Sequence, residues 1–132
     1  MKAALTLLCC GLLTGCAVGS GGTSCDLGSK LTVSPATATA DHSAAPPGNE
    51  VQFMSVVAPT APPGCAVPQW LLQATPTWTS TDSKDIQIDS STNAQTNGLA
   101  TCSGATNGAA TLTATVTFDN TVLTQTASLT CK

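Results

Sequence analysis

The chain has 132 residues and a formal charge of −3, and only 8% of its residues are charged, against about 25% in typical globular domains. There is no arginine, and Lys2, Lys30, Lys84 and Lys132 face seven acids. This excludes nucleic-acid binding through clustered basic residues, and equally a polybasic grip on anionic lipid. The length suits one domain. Phe53, Phe118, Trp70 and Trp78 are the only aromatic residues, so the core should be thin and in need of covalent support.

Met1-Lys2 gives a positive start, and Ala3 to Leu13 is an apolar run. Its roughly eleven residues fit a signal-peptide core and fall short of the ~20 needed to span a bilayer. Leu13-Thr14-Gly15-Cys16 follows. An aliphatic residue, two small ones and then Cys resembles the lipobox of bacterial lipoproteins. Small residues let a peptidase reach the backbone, and the sulfur of Cys16 can take a diacylglyceryl thioether. The resemblance implies a signal peptide over 1–15, cleavage before Cys16, and lipidation of Cys16 with the membrane as its partner. Each buried acyl methylene then adds about 0.8 kcal/mol, and two or more chains anchor stably. An ordinary secretory signal cleaved near Gly15 or Gly19 is the alternative. Cys9 and Cys10 lie in the apolar run and leave with the leader. Ala17 follows the Cys. Under the sorting rule of some Gram-negative bacteria, Asp there retains a lipoprotein in the inner membrane, so Ala17 implies the outer membrane. The expected location is the bacterial cell envelope, on its periplasmic or surface face.

Residues 16–24 then form a tether, with the linker composition Gly-Ser-Gly-Gly-Thr-Ser over Gly19–Ser24. The domain is expected over 25–132. Lys30 to Ser34 alternates polar and apolar and stops at Pro35, which suits an edge strand that Ala36 to Ala40 continues weakly. Pro46-Pro47-Gly48 marks a turn. Glu50 to Val56 alternates again, with Val51 and Phe53 on one face. Ala58 to Pro76 holds five prolines, so no long helix forms there. Thr77 to Ser80 reads as a strand with Trp78 pointing inward, and Ile86 to Ile88 as another. Asn97-Gly98 is a hairpin signal, with Leu99 to Thr101 returning. Leu112, Ala114, Val116 and Phe118 alternate with Thr111, Thr113, Thr115 and Thr117, Asp119-Asn120 turns, and Leu123 to Cys131 comes back with Ala127 and Leu129 on one face. About seven short strands without a helix signal after the leader predict an all-β antiparallel β-sandwich.

Several of these stretches stand in a familiar order. Leu31-Thr32-Val33-Ser34-Pro35, Gly48 to Phe53, Trp78 to Asp82, Asn97 to Thr101 and Ala110 to Thr115 resemble successive landmarks of bacterial immunoglobulin-like domains, group 2. The resemblance covers roughly 30–130. The insertion at Ala40–Pro47 and the proline-rich loop Ala58–Pro76 depart from it. It implies an Ig-like sandwich used as a surface module, with no common catalytic site.

Four cysteines remain for the domain: Cys25, Cys65, Cys102 and Cys131. An even number in an exported domain points to disulfides, and the residues alone leave three pairings open. The topology that the resemblance implies puts Cys25 and Cys65 at one end and Cys102 and Cys131 at the other. Cys25–Cys65 and Cys102–Cys131 are the expected bridges on that basis. The four are too dispersed, with one His in the chain, to read as a zinc set.

No residue pattern announces catalysis, and neither a cofactor nor a metal is expected. Asp41-His42-Ser43 holds the residue types of a hydrolytic triad, but a triad is assembled through the fold and not by adjacency. Asp82, Asp85 and Asp89 lack the dense spacing and bidentate Glu of an established calcium loop. Trp70 lies beside Leu71 and Leu72 in the proline-rich loop. It either caps the core or is exposed as a contact for a partner or a sugar ring. The expectation is a non-enzymatic, lipid-anchored envelope module with an interaction or structural role. A glycan-binding module using Trp70 is the alternative, so the expected partner beyond the membrane is an envelope protein or a glycan.

Overall fold

A computed structural model describes residues 25, 27–67, 74–118 and 120–132. The leader, Cys16, the tether up to 24, Trp70 with its neighbours Leu71 and Leu72, and Asp119 lie outside the described residues. Within them the chain is all-β, with nine strands and no helix. The strands are β1 (Gly28–Ser34), β2 (Thr37–Ala40), β3 (Glu50–Gln52), β4 (Met54–Thr60), β5 (Thr77–Ser80), β6 (Ile86–Ile88), β7 (Leu99–Cys102), β8 (Ala110–Phe118) and β9 (Thr121–Cys131). They form a β1-β4 pair, a four-stranded sheet β2-β9-β8-β5 and a three-stranded sheet β3-β7-β6.

Nine strands arise where about seven were expected because two of those expected each divide between sheets. Pro35 has no N–H to give to a ladder, and the chain bends there. β1 pairs antiparallel with β4, whereas β2 pairs with β9. That second pairing is parallel, with Thr37 opposite Ser128 and Ala40 opposite Cys131. The expected all-antiparallel sandwich is corrected at this point: the four-stranded sheet is mixed, and the other two are antiparallel. The weak continuation at Ala36–Ala40 is a strand in its own right. The second division falls at Phe53. β3 is paired to β7 up to Gln52–Leu99, and the Phe53 N–H then donates to the Gly98 carbonyl at 2.9 Å. β7 goes no further along β3, and β4 continues on β1. The alternation runs through the change of partner: Val51 and Val57 are half-buried and Phe53 buried, while Gln52, Met54 and Val56 are exposed.

The Thr/apolar alternation of β8 sorts its side chains. Ala110, Leu112, Ala114, Val116 and Phe118 are buried, and the threonines between them are not. β8 pairs with β9 along its whole length, from Ala110–Leu129 to Phe118–Thr121, and Asn120 takes φ 60° in the turn between them. Inward residues of all three sheets meet in one cluster: Leu31 of β1, Ile86, Ala100 and Cys102 of the β3-β7-β6 sheet, and Trp78, Leu112, Ala114 and Leu129 of the four-stranded sheet. This arrangement is consistent with a β-sandwich. Five alanines contribute to the cluster, so each weighs little; burial contributes roughly 25 cal/mol per Å² of apolar surface. Phe53 and Trp78, with ring centroids 6.3 Å apart and planes tilted by 51°, supply much of the bulk.

Strand directions define two poles. One holds the start of β1, the end of β4 and the β8–β9 turn; the other holds Ala40, Cys102, Cys131 and the loops 41–49, 81–85 and 103–109.

Candidate functional site

The loop between β6 and β7 is the most heavily hydrogen-bonded feature at the first pole. It is not the two-residue hairpin that Asn97-Gly98 suggested. Ile86–Cys102 and Ile88–Ala100 pair, so the connection runs from Asp89 to Gly98. It closes where Asp89 N–H donates to Leu99 O at 2.9 Å and Gly98 N–H to Asp89 O at 2.7 Å. Only Gly98 of the two has a positive φ, 85°. Glycine is also needed there for space, since a Cβ would overlap the Phe53 carbonyl oxygen and crowd the Trp78 ring.

Asn97 acts through its side chain. Its Oδ1 accepts the Trp78 indole N–H at 2.9 Å, and its Nδ2 donates to Pro76 O at 3.0 Å and Ser91 O at 2.6 Å. Gln52 Nε2 donates to the Asn97 carbonyl at 2.8 Å, and Ser90 Oγ accepts the Trp78 backbone N–H at 2.8 Å. The network satisfies the polar edge of a tryptophan that is only 4% exposed, as buried indoles require. Asp89 belongs to the same loop. The Thr96 hydroxyl, then the Ser91 amide and hydroxyl, hold its carboxylate below the ordinary 3.8.

Beside this loop lies an open groove of about 410 Å³, lined among others by Gln52, Met54, Val56, Pro76 and Asn97. Met54 and Val56 are 63% and 60% exposed. Sequence reasoning passed over this groove. Met54 and Val56 occupy the positions that alternate with Phe53, but with apolar residues on both faces the alternation does not say which face is left open.

Asp41-His42-Ser43 does not form a relay. Asp41 Oδ1 accepts from the Ser43 hydroxyl at 2.7 Å and the Ser43 amide at 2.9 Å, while His42 Nδ1 lies 2.5 Å from the backbone oxygen of Lys132. The Ser43 contacts lower the Asp41 pKa below 3.8, with smaller help from His42 and Lys132. Asp, His and Ser are thus divided between two separate contacts. Of the three acids, Asp82 Oδ1 accepts the Asp85 backbone N–H at 3.2 Å, and Asp89 serves its own loop. No cluster of three or more His, Cys, Asp or Glu that could hold a metal occurs among the described residues.

The structure joins Cys25 to Cys65, with Cα atoms 5.7 Å apart, and Cys102 to Cys131 at 5.8 Å. Both separations fall in the usual disulfide range. The pairs lie at opposite poles and in different surroundings. Cys102 and Cys131 are each 1% exposed, whereas Cys25 is exposed and Cys65 half-buried. Cys16 and Trp70, the lipidation and contact candidates, lie outside the described residues. No helix among the described residues is long and apolar enough to cross a membrane.

The fold and these contacts define the class: an all-β, disulfide-bridged domain. No protein-family model matches the chain, and no curated protein matches it.

Proposed function

We propose that this chain is a lipid-anchored module of the bacterial cell envelope, carrying an Ig-like domain with a non-catalytic interaction or structural role. The observation that carries the reading is Leu13-Thr14-Gly15-Cys16, set after Lys2 and the apolar run Ala3–Leu13. Lys2, the run, the small residues and the Cys coincide at the spacing of a lipobox. Acylation of Cys16 would hold the domain at a membrane by the tether 16–24, and Ala17 directs it toward the outer membrane.

The strand order supports the Ig-like part. Taken through Phe53, β1, β3/β4, β7 and β6 follow one another as the first, second, fifth and fourth strands do in an Ig sheet. β5, β8 and β9 correspond to its third, sixth and seventh strands, with β2 added at the edge. Trp78 on β5 is buried against the opposite layer, the place of the third-strand tryptophan in that architecture. An Ig-like domain supplies a rigid body with loops at two ends, and its use is set by the partner it meets.

The experiment is Cys16→Ser with membrane fractionation and labelling by radioactive palmitate. The wild-type chain should carry label and stay with membranes through a high-salt wash. The variant should lose the label and become soluble while keeping both disulfides. Membrane retention of the unlabelled variant would overturn the anchor.

A further inference from the structure

Exposed strand edges are templates for further pairing, and proteins blunt them with charge, proline or shortness. Most edges among the described residues are blunted in these ways. β2 has four residues, β6 three, and β5 four with its Trp78 N–H already bonded to Ser90 Oγ at 2.8 Å. β1 carries Lys30, and β4 carries Pro59.

β9 is different. β2 covers only Ser128–Cys131, because the chain reaches this sheet after the bend at Pro35. Thr121 to Ala127 is paired to β8 on one side and to no described strand on the other. Ser128 N–H donates to Ala36 O at 2.9 Å, across the β2 side. Ladder alternation then turns the backbone N–H and C=O of Val122, Thr124 and Thr126 to that same side. All three residues are exposed, Val122 by 63%. Thr121–Ala127 contains no charge, proline or glycine and is rich in β-branched residues, the composition that favours strand pairing.

We propose that this edge pairs antiparallel with the same edge of a second copy of the chain, about a two-fold axis at Thr124. A second copy fits for two reasons. The stretch is self-complementary: Thr124 meets Thr124, and Val122 meets Thr126, so β-branched side chains oppose one another on the outer face. It is also free of charge in a chain of net −3, so copies approaching by this edge avoid the like-charge repulsion of other approaches. Two-fold pairing closes the interface and uses up both edges, which stops further growth. The contact is short and falls below the ~1,200 Å² of a standard interface, so the dimer is weak and depends on concentration.

The test is sedimentation velocity of the full chain over rising concentration, with amide hydrogen exchange by NMR. Dimer should grow with concentration. Protection should rise at Val122, Thr124 and Thr126 and stay constant at Leu123 and Gln125, whose amides face β8. Thr124→Pro removes an N–H from the open edge without touching the β8 ladder, and should weaken the dimer by at least about tenfold. Thr124→Val keeps the N–H and should leave the dimer intact. If the proline variant does not fold, Thr124→Lys, which puts like charges opposite each other at the axis, takes its place with the same expectation. A chain that stays monomeric at millimolar concentration, a dimer indifferent to these substitutions, or protection that rises on β1 or β4 would each overturn the proposal.

Discussion

The two poles of the domain are held together by different means. At one, Cys102 and Cys131 lie inside the core and tie β7 to the end of β9. At the other, the Cys25–Cys65 bridge sits outside the core cluster, and the neighbouring loop is organised by the Asn97 side chain. Loop length alone would rank the bridges the other way. Their sequence separations are 40 for Cys25–Cys65 and 29 for Cys102–Cys131, for which the chain-entropy model gives about 3.9 and about 3.6 kcal/mol. Those values are nearly equal, so burial decides. Breaking the inner bridge also removes packed sulfur from a core with little bulk to spare. The outer one joins the stretches just beyond β1 and β4, which pair with each other from Gly28–Thr60 onward, and its loss opens no cavity in the core.

That ranking can be broken by experiment. The largest effect is expected for Cys102→Ala with Cys131→Ala, about 4–5 kcal/mol once a cavity term is added to the chain entropy. Against a typical total of about 5–15 kcal/mol, that is roughly a third or more of the stability, and chemical denaturation should find the midpoint far below the wild type's. Asn97→Ala comes next, at about 2–3 kcal/mol, because it strands the buried Trp78 indole N–H. Asn97→Ser should recover little, since the shorter hydroxyl does not span to Trp78, Pro76 and Ser91 together. Urea titration followed by Trp fluorescence would read both variants. Cys25→Ala with Cys65→Ala should cost less than the inner pair, because no cavity term adds to a chain-entropy figure that bridges often fall short of. Faster amide exchange there should be confined to the start of β1 and the end of β4. A larger loss from the outer pair than from the inner pair would reverse the ranking.

The smallest effect is the pH dependence of the β6–β7 loop. The Asp89 pKa is lowered from 3.8 on folding. Its contribution is therefore fully present above that value and is lost as pH falls through the lower folded value. Protection of the Gly98 amide, which bonds to the Asp89 carbonyl at 2.7 Å, should fall below pH 3.8 when its exchange is measured against the intrinsic rate at each pH. In Asp89→Asn that acid step should disappear.

Much of the β-structure was legible in sequence because alternation reports which side chains face inward. The β8 and β9 pattern names Leu112, Val116, Ala127 and Leu129 as interior, and they are buried. Trp78 was legible for the same reason. The alternation is silent about partners. Asn97-Gly98 reads as a tight turn because both residues tolerate positive φ, yet only Gly98 adopts it. Asn97 instead reaches Trp78, Pro76 and Ser91, contacts that no local pattern encodes. The groove beside Met54 and Val56 was missed because apolar residues on both faces of a strand do not say which face is covered.

The sequence by itself determined the all-β class, the inward face of each long strand, and the cysteine set available for bridging. These follow from backbone period and side-chain chemistry, which are local. Only the tertiary structure decided that the chain changes sheets at Pro35 and at Phe53, that β2 runs parallel to β9, and that one bridge is buried while the other is exposed. Those outcomes depend on which edges are left open once the long β8–β9 hairpin has formed, and an edge belongs to the assembled sheet and not to any single strand.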